Sequence, residues 1–438
     1  MSATIASLGE WLRRAQEHAQ QREVGLAEQA FQRVLELDPA RLEALEYLVG
    51  LAYHRRRPEQ ALALLQSATQ APDAPAALWV ELGKLHERLN DPAAAQSALE
   101  RALKLAPHDY YAALHLGQAL EARGEMAAAR SAFFRAITHA QSAGQWLDEA
   151  STLAALRPRV QHAMRVVEDG RRAVLDEIYA PLAARHGLAA MARVRQCLDG
   201  VLGLRQDTPP DPRQQPKYLY FPSIPSTAFF ERRLFPWFEA LEASTDAIEA
   251  ELDAVLARRA DIQPFLDLSG EARREDYLAN AQNPNDPRWD AYFFYRHGER
   301  FDAHHREAPL TSAAIDATPL ARIPGHAPEI CYSMLTAGTH ILPHHGDSNV
   351  RVVVHLPLKV PADCALHVSG EYHHWQRGRA MAFDDTYRHE AWNRGESLRV
   401  ILLMDSWNPY LSPVEREAMA AVIAALGLYN RSLKAGWA

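Results

Sequence analysis

Apolar and polar positions recur along this chain on three different rhythms. Over roughly the first third the repeat is long. Ala27, Ala61, Ala95 and Ala129 fall 34 residues apart, as do Phe31, Leu65, Leu99 and Phe133, and Val34, Ala68, Ala102 and Ala136. Small and large residues at fixed offsets predict pairs of antiparallel helices, the small positions allowing close approach and the large ones filling the groove against the next pair. From Gly144 to about Leu204 the rhythm shortens to helical spacings of three and four, as at Leu153, Leu156, Val160, Met164 and Val167. After Trp289 it changes again. Ile330–Leu335, Val350–Leu358, Leu366–Ser369, Ala380–Phe383 and Leu398–Met404 are short β-branched and apolar runs separated by glycines and Pro343, which predicts many short strands in a sandwich or jelly roll.

Between the helical and β-rich parts lie Gln206 to Pro216, with four prolines in eleven residues. Such a stretch cannot continue a helix and predicts a stiff, extended connector. Tyr218–Pro222 reads as a buried short strand, 229–256 as an amphipathic helix, and Ser412–Leu426 as a capped helix.

The composition narrows the function. The chain has 438 residues, 48% hydrophobic and 23% charged, with a net charge of −8. No Lys/Arg-rich block stands out, which argues against nucleic acid as a partner. The three cysteines, Cys197, Cys331 and Cys364, form no CxxC pair and read as a reducing compartment. Neither a signal peptide nor an apolar run of membrane length is evident, so the expected location is the cytoplasm.

The candidate chemistry gathers in two stretches, Thr339 to Asn349 and Phe383 to Glu390, with Arg399 ten positions after His389. Histidines on two separated stretches followed by a strand arginine suit an iron site with an oxo-acid co-substrate. Imidazoles hold Fe(II) while leaving open positions, and a guanidinium fork matches a carboxylate. Strand alternation places Arg351, Val353 and His355 on one face, Arg399, Ile401, Leu403 and Asp405 on another, and Ser333 with Cys331 and Leu335. Buried polar groups on apolar strands predict a shared polar cavity. The metal register stays open at this stage: His345 and Asp347 have the common His-x-carboxylate spacing, and His344 is the rival.

Two resemblances sharpen these expectations. The 34-residue pattern resembles the tetratricopeptide repeat over about residues 8–141, in four units, of which 79–107 is nearly complete. The sequences 332–344, 349–356, 383–392 and 398–409, with Leu234 to Trp237, resemble the aspartyl/asparaginyl β-hydroxylase family of Fe(II)/2-oxoglutarate-dependent oxygenases over roughly 216–415. The combined expectation is a multidomain α plus β protein. A tetratricopeptide array would span 1–141, a helical bridge or capping bundle 142–205, and the proline-rich linker 206–216. An oxygenase domain, a double-stranded β-helix (jelly roll) with flanking helices, would span 217–438.

The family resemblance implies His344 and His389 as iron ligands, with water replacing a carboxylate at Gly346. It implies that Arg399 and Ser333 hold the distal carboxylate of 2-oxoglutarate, that His355 meets the co-substrate's other end, and that Arg351 meets a substrate carboxylate. Asp384 and Asp385 would orient a ligand or form a turn. His340, His373 and His374 would lie outside the metal shell. Two departures stand out: Val353 replaces a second arginine of the animal form, and the stretch at His304-His305 lacks its cysteine pair. The implied activity is a dioxygenase using Fe(II), 2-oxoglutarate and O2 to hydroxylate an unactivated C–H, foremost the β-carbon of Asp or Asn in a peptide or protein recruited by the repeats. The alternatives are a lipid or small-molecule acceptor, or a non-enzymatic tetratricopeptide adaptor with a degenerate β domain. A zinc hydrolase lacks a general base such as HExxH supplies.

Overall fold

A computed structural model describes residues 7–71, 73–258, 261–266, 273–280, 283, 286–435 and 437. The chain forms two compact units, one of residues 1–171 with 429–438, the other of 172–428.

The first unit contains four helix pairs: Leu8–Gln20 with Val24–Leu37, Leu42–His54 with Pro58–Thr69, Ala76–Arg88 with Pro92–Leu105, and Tyr110–Ala122 with Met126–Ser142. The repeat positions explain the packing. Ala27, Ala61, Ala95 and Ala129 are completely buried. A Cβ on Gly83 would lie 2.5 Å from Leu99, and one on Gly117 would lie 2.3 Å from Phe133. In the third and fourth pairs the glycine of the first helix thus seats the large residue of the second. Asp91 and Asp109 accept backbone N–H bonds at helix starts, satisfying otherwise orphaned donors.

Among the described residues, the second unit is built on twelve strands in two antiparallel sheets. In chain order these are β1 (Gln263–Pro264), β2 (Leu278–Asn280), β3 (Trp289–Arg296), β4 (Glu299–Arg300), β5 (Ile330–Leu335), β6 (Thr339–His344), β7 (Arg351–Lys359), β8 (Cys364–Val368), β9 (Glu371–His373), β10 (Met381–Phe383), β11 (His389–Asn393) and β12 (Arg399–Trp407). The larger sheet has the order β1-β3-β5-β12-β7-β10 with β4 beside β3, and the smaller β2-β6-β11-β8-β9. From β5 onward the chain passes back and forth between the sheets, the winding expected of a jelly roll.

The sheets enclose one core, including Phe293, Leu335, Val353, Leu366, Phe383 and Ile401. The other face of the larger sheet, with Tyr332, Val354 and Leu402, packs against Ile248, Leu252 and Ile315 of flanking helices. A third cluster joins Val194 and Leu198 to Phe221, Met419 and Val422.

Several expectations meet a different structure. The helix expected over 229–256 is broken into a 3-10 turn at Arg232–Leu234 and helices Phe238–Ala243 and Thr245–Arg258. Pro236 bars a continuous helix, and Phe229 forms a bridge with Phe383. Tyr218–Pro222 is not a strand: Leu219 makes one isolated bridge, to Ser348. The proline-rich stretch 206–216 lies inside the second unit, where Gln215 N donates to Thr386 O at 2.9 Å and buried Gln214 donates to Asp384 at 2.7 Å. No helix among the described residues is long and apolar enough to cross a membrane.

Candidate active site

Strand pairing makes the first wall of the site. β6 and β11 are neighbours, and their register sets His344 opposite His389 with ring centroids 4.1 Å apart. Each Nδ1 lies beside a carbonyl oxygen two residues earlier, Leu342 O at 2.8 Å and Tyr387 O at 2.9 Å. A carbonyl only accepts, so each Nδ1 carries the proton and each Nε2 keeps a lone pair. Burial keeps both rings neutral, pushing His389 down to about 3 and lowering His344 as well. Two neutral imidazoles oriented through carbonyl bonds can hold a divalent transition metal.

The neighbouring residues of the two registers differ. His345 donates its own Nδ1–H to Thr386 O at 2.9 Å. Among the described residues no three His, Cys, Asp or Glu side chains converge in metal-holding geometry, so His345, Asp347 and His389 form no facial triad. Gly346 occupies the place where a carboxylate would follow His344. A Cβ there would lie 2.2 Å from Asp385 Cγ, and the Gly346 N–H donates to Asp385 O at 2.6 Å. Asp385 Oδ2 pairs with Arg351 Nη1 at 3.1 Å, while Oδ1 is buried without a hydrogen-bond partner. That unused acceptor beside His344 fits a water-bearing metal.

A cavity of about 250 Å3 opens from the imidazoles between the sheets. Strand alternation points Ser333, Arg351, Val353, His355, Arg399 and Asp405 into it. At its inner end Arg399, 1% exposed, reaches Ser333 O at 3.3 Å and Ser333 Oγ at 3.4 Å. Arg399 Nε has no partner, and among the described residues no carboxylate pairs with this guanidinium. Burial lowers it to about 10. A buried cation with spare donors is costly, and an incoming carboxylate would satisfy it. The cavity therefore fits both a metal and an oxo-acid.

Two tryptophans unremarked as site residues in the sequence complete this end. Trp289 Nε1 donates to Ser333 Oγ at 2.9 Å. Trp375 lies with its ring 5.0 Å from Arg399 Cζ and donates Nε1–H to His355 Nδ1 at 3.3 Å. That bond assigns the proton of His355 to Nε2, making it a donor toward the cavity, and burial holds the ring neutral. Trp375 sits in the turn-rich stretch between Gly370 and Gly378, where no periodicity marks it.

Arg351, expected beside a substrate carboxylate, is already held by Asp405 at 2.9 Å and Asp385 at 3.1 Å. Asp384 makes the turn instead: its carboxylate accepts from Thr386 N and Oγ1 and from Gln214. His340 binds Glu390 and not His344 or His389, and His373 and His374 are half-buried and exposed.

Residues 242–409 match the family model described as Aspartyl/Asparaginyl beta-hydroxylase, and residues 12–75 and 80–145 that of the tetratricopeptide repeat. The chain thus carries an aspartyl/asparaginyl β-hydroxylase family domain together with tetratricopeptide repeats. Among its relatives is the ornithine lipid ester-linked acyl 2-hydroxylase of Rhizobium tropici, 31% identical over 198 residues, which are 44% of this chain and 66% of that one. The aspartyl/asparaginyl beta-hydroxylase of Homo sapiens is 31% identical over 135 residues, 31% of this chain and 18% of that one. The chain therefore spans less than two thirds of either relative. Among solved structures, YrrB, titled a TPR protein with an unusual peptide-binding site, covers 30% of this chain and 69% of its own at 22% identity and a TM-score of 0.27.

Proposed function

We propose that this protein is an Fe(II)- and 2-oxoglutarate-dependent dioxygenase that hydroxylates the β-carbon of an Asp or Asn in a polypeptide, with the repeats recruiting that polypeptide. The observation carrying the reading is Arg399, a buried guanidinium without a carboxylate, in the same cavity as the facing imidazoles of His344 and His389. His344 and His389 would hold the iron through Nε2. Bound iron with 2-oxoglutarate and O2 supplies the C–H oxidation, releasing succinate and carbon dioxide.

The chain's own residues bind, orient and exclude. Arg399 and Ser333 would clamp the distal carboxylate, Trp289 fixing the serine hydroxyl from behind. His355 Nε2–H would donate to the bound co-substrate, its tautomer set by Trp375. Asp385 Oδ1 would accept from a metal-bound water, while Arg351 holds the other oxygen of that carboxylate. The apolar lining from Val353, Leu366 and Phe383 excludes bulk water, which strengthens these contacts.

The relative named as an acyl 2-hydroxylase favours a second reading, in which the acceptor is a lipid acyl chain. Iron-loaded protein should convert 2-oxoglutarate to succinate without acceptor, at a low rate. An acidic peptide or an ornithine lipid should then accelerate it. Absence of succinate under every condition would leave the adaptor reading in its place.

A further inference from the structure

A second cavity, of about 360 Å3, adjoins the first, and His345 and His389 line both. Its other walls include Arg213, Arg388 and His367. Its charge is lopsided. Arg388 is exposed, and among the described residues its side chain has no hydrogen bond or ion pair. Arg213 is fixed in place by Asp211 at 2.7 Å and by Ser369 O at 3.1 Å. Exposed Lys217, whose N–H donates to Gly346 O at 3.0 Å, adds a third cation near this rim.

Glu390 is the acid among the lining residues, and both its oxygens are engaged, with His340 at 2.7 Å and His367 at 2.9 Å. His367 Nε2 in turn accepts from Gly370 N at 3.1 Å, so this imidazole is fully bonded and spends nothing on the cavity. The chain as a whole carries a charge of −8, so a groove where Arg213, Arg388 and Lys217 outnumber Asp211 and Glu390 by one charge stands against its background.

We infer that the groove formed by Arg213 and Arg388 beside His345 and His389 binds a carboxylate of an acidic acceptor peptide, next in sequence to the residue being hydroxylated. The inference rests on the oxygenase reading for what the neighbouring cavity does. Its geometry uses the shared wall: a residue whose C–H faces His344 and His389 can place a sequence neighbour on the His345–His389 side. Arg351, already answered by two carboxylates, Asp385 and Asp405, has no charge to spare for this purpose, whereas exposed Arg213 answers to Asp211 alone. Arg388 is the guanidinium with its donors unspent, and a guanidinium matches a carboxylate bidentately.

Binding of fluorescein-labelled hexa-aspartate and hexa-asparagine peptides to the full chain, with 2-oxoglutarate saturating so that Arg399 is occupied, tests this directly. The aspartate peptide should bind roughly tenfold more tightly, a preference that Arg388→Gln and Arg213→Gln each largely remove and Arg388→Lys largely keeps. An unchanged preference in both glutamine variants would overturn the inference, because the charge would then be read elsewhere, as by the repeats. So would equal binding of the two peptides, or displacement of both by phosphatidylglycerol but not phosphatidylcholine vesicles, which would assign the groove to a lipid surface. Succinate release by the iron-loaded wild type in the same preparation tests the oxygenase reading separately. A charge preference without succinate sinks that reading and leaves the groove, whereas succinate without a charge preference does the reverse.

Discussion

His344 and His389 are direct partners across adjacent antiparallel strands, with their rings 4.1 Å apart and both Nδ1 atoms tied to backbone carbonyls. The pairing is part of the sheet ladder, so the fold itself positions the two imidazoles. His344→Ala or His389→Ala should abolish iron binding and succinate formation while the protein stays folded, since neither ring anchors the hydrophobic core. Metal content and circular dichroism check both halves. If Asp347→Ala instead removes the metal and His344→Ala does not, the assignment passes to His345 and Asp347.

Arg399→Lys keeps the charge and loses the fork. It should raise the 2-oxoglutarate requirement about ten- to a hundredfold, from the loss of ~1.5–3 kcal/mol of charged hydrogen bonding. Arg399→Met should cost more and leave iron affinity nearly unchanged, because the guanidinium contacts Ser333 and Trp375 and not the imidazoles. Titrating 2-oxoglutarate while following succinate decides it; unchanged apparent affinity in both variants makes Arg399 structural.

Gly346→Ala places a methyl 2.2 Å from Asp385 Cγ. The carboxylate cannot swing away freely, since Arg351 holds it and it is buried. We expect a loss of ~1–3 kcal/mol from overpacking, together with weakened iron retention. A variant that melts with the wild type and retains iron would show that the Asp385 carboxylate is free to move.

Burial drives His355 well below the ordinary imidazole range. Below about pH 6.5 the unfolded chain therefore takes up a proton that the native protein refuses, and stability falls as pH drops. Asp384 and Asp405, pushed up to about 6 by burial, act with the opposite sign, the native state protonating first. The difference between wild type and His355→Gln isolates the histidine. Between pH 6 and 5 the metal-free wild type should lose roughly 1.4 kcal/mol per pH unit more than the variant. Urea midpoints at several pH values measure this, and parallel curves would mean that His355 is protonated in the fold.

How much of this was legible beforehand depends on what each residue's neighbours in sequence disclose. The repeat array was legible because its contacts recur at one spacing: the alanines and the Gly83–Leu99 seat announce themselves by period. The cavity wall was legible because strand alternation puts Ser333, His355 and Arg399 on inward faces. The strands carrying the histidines, β6 and β11, were not, because site residues replace the apolar alternation that marks a strand. Contacts between distant loops left no local trace. Trp375 behind His355 and Gln214 on Asp384 depend on pairings 20 and 170 residues apart. Arg351 was readable as polar and inward-facing, but its partners belong to β12 and to the turn before β11.

The close approach of Gly346 to Asp385 also constrains how this site can change over generations. A lineage acquiring a carboxylate at position 346 must pass through one of two intermediates, with both side chains colliding or with Asp385 already gone and Arg351 deprived of a partner. Neither single step is neutral, so a carboxylate at 346 calls for a coordinated change at 385, and the arrangement without a side chain at 346 is hard to leave one substitution at a time.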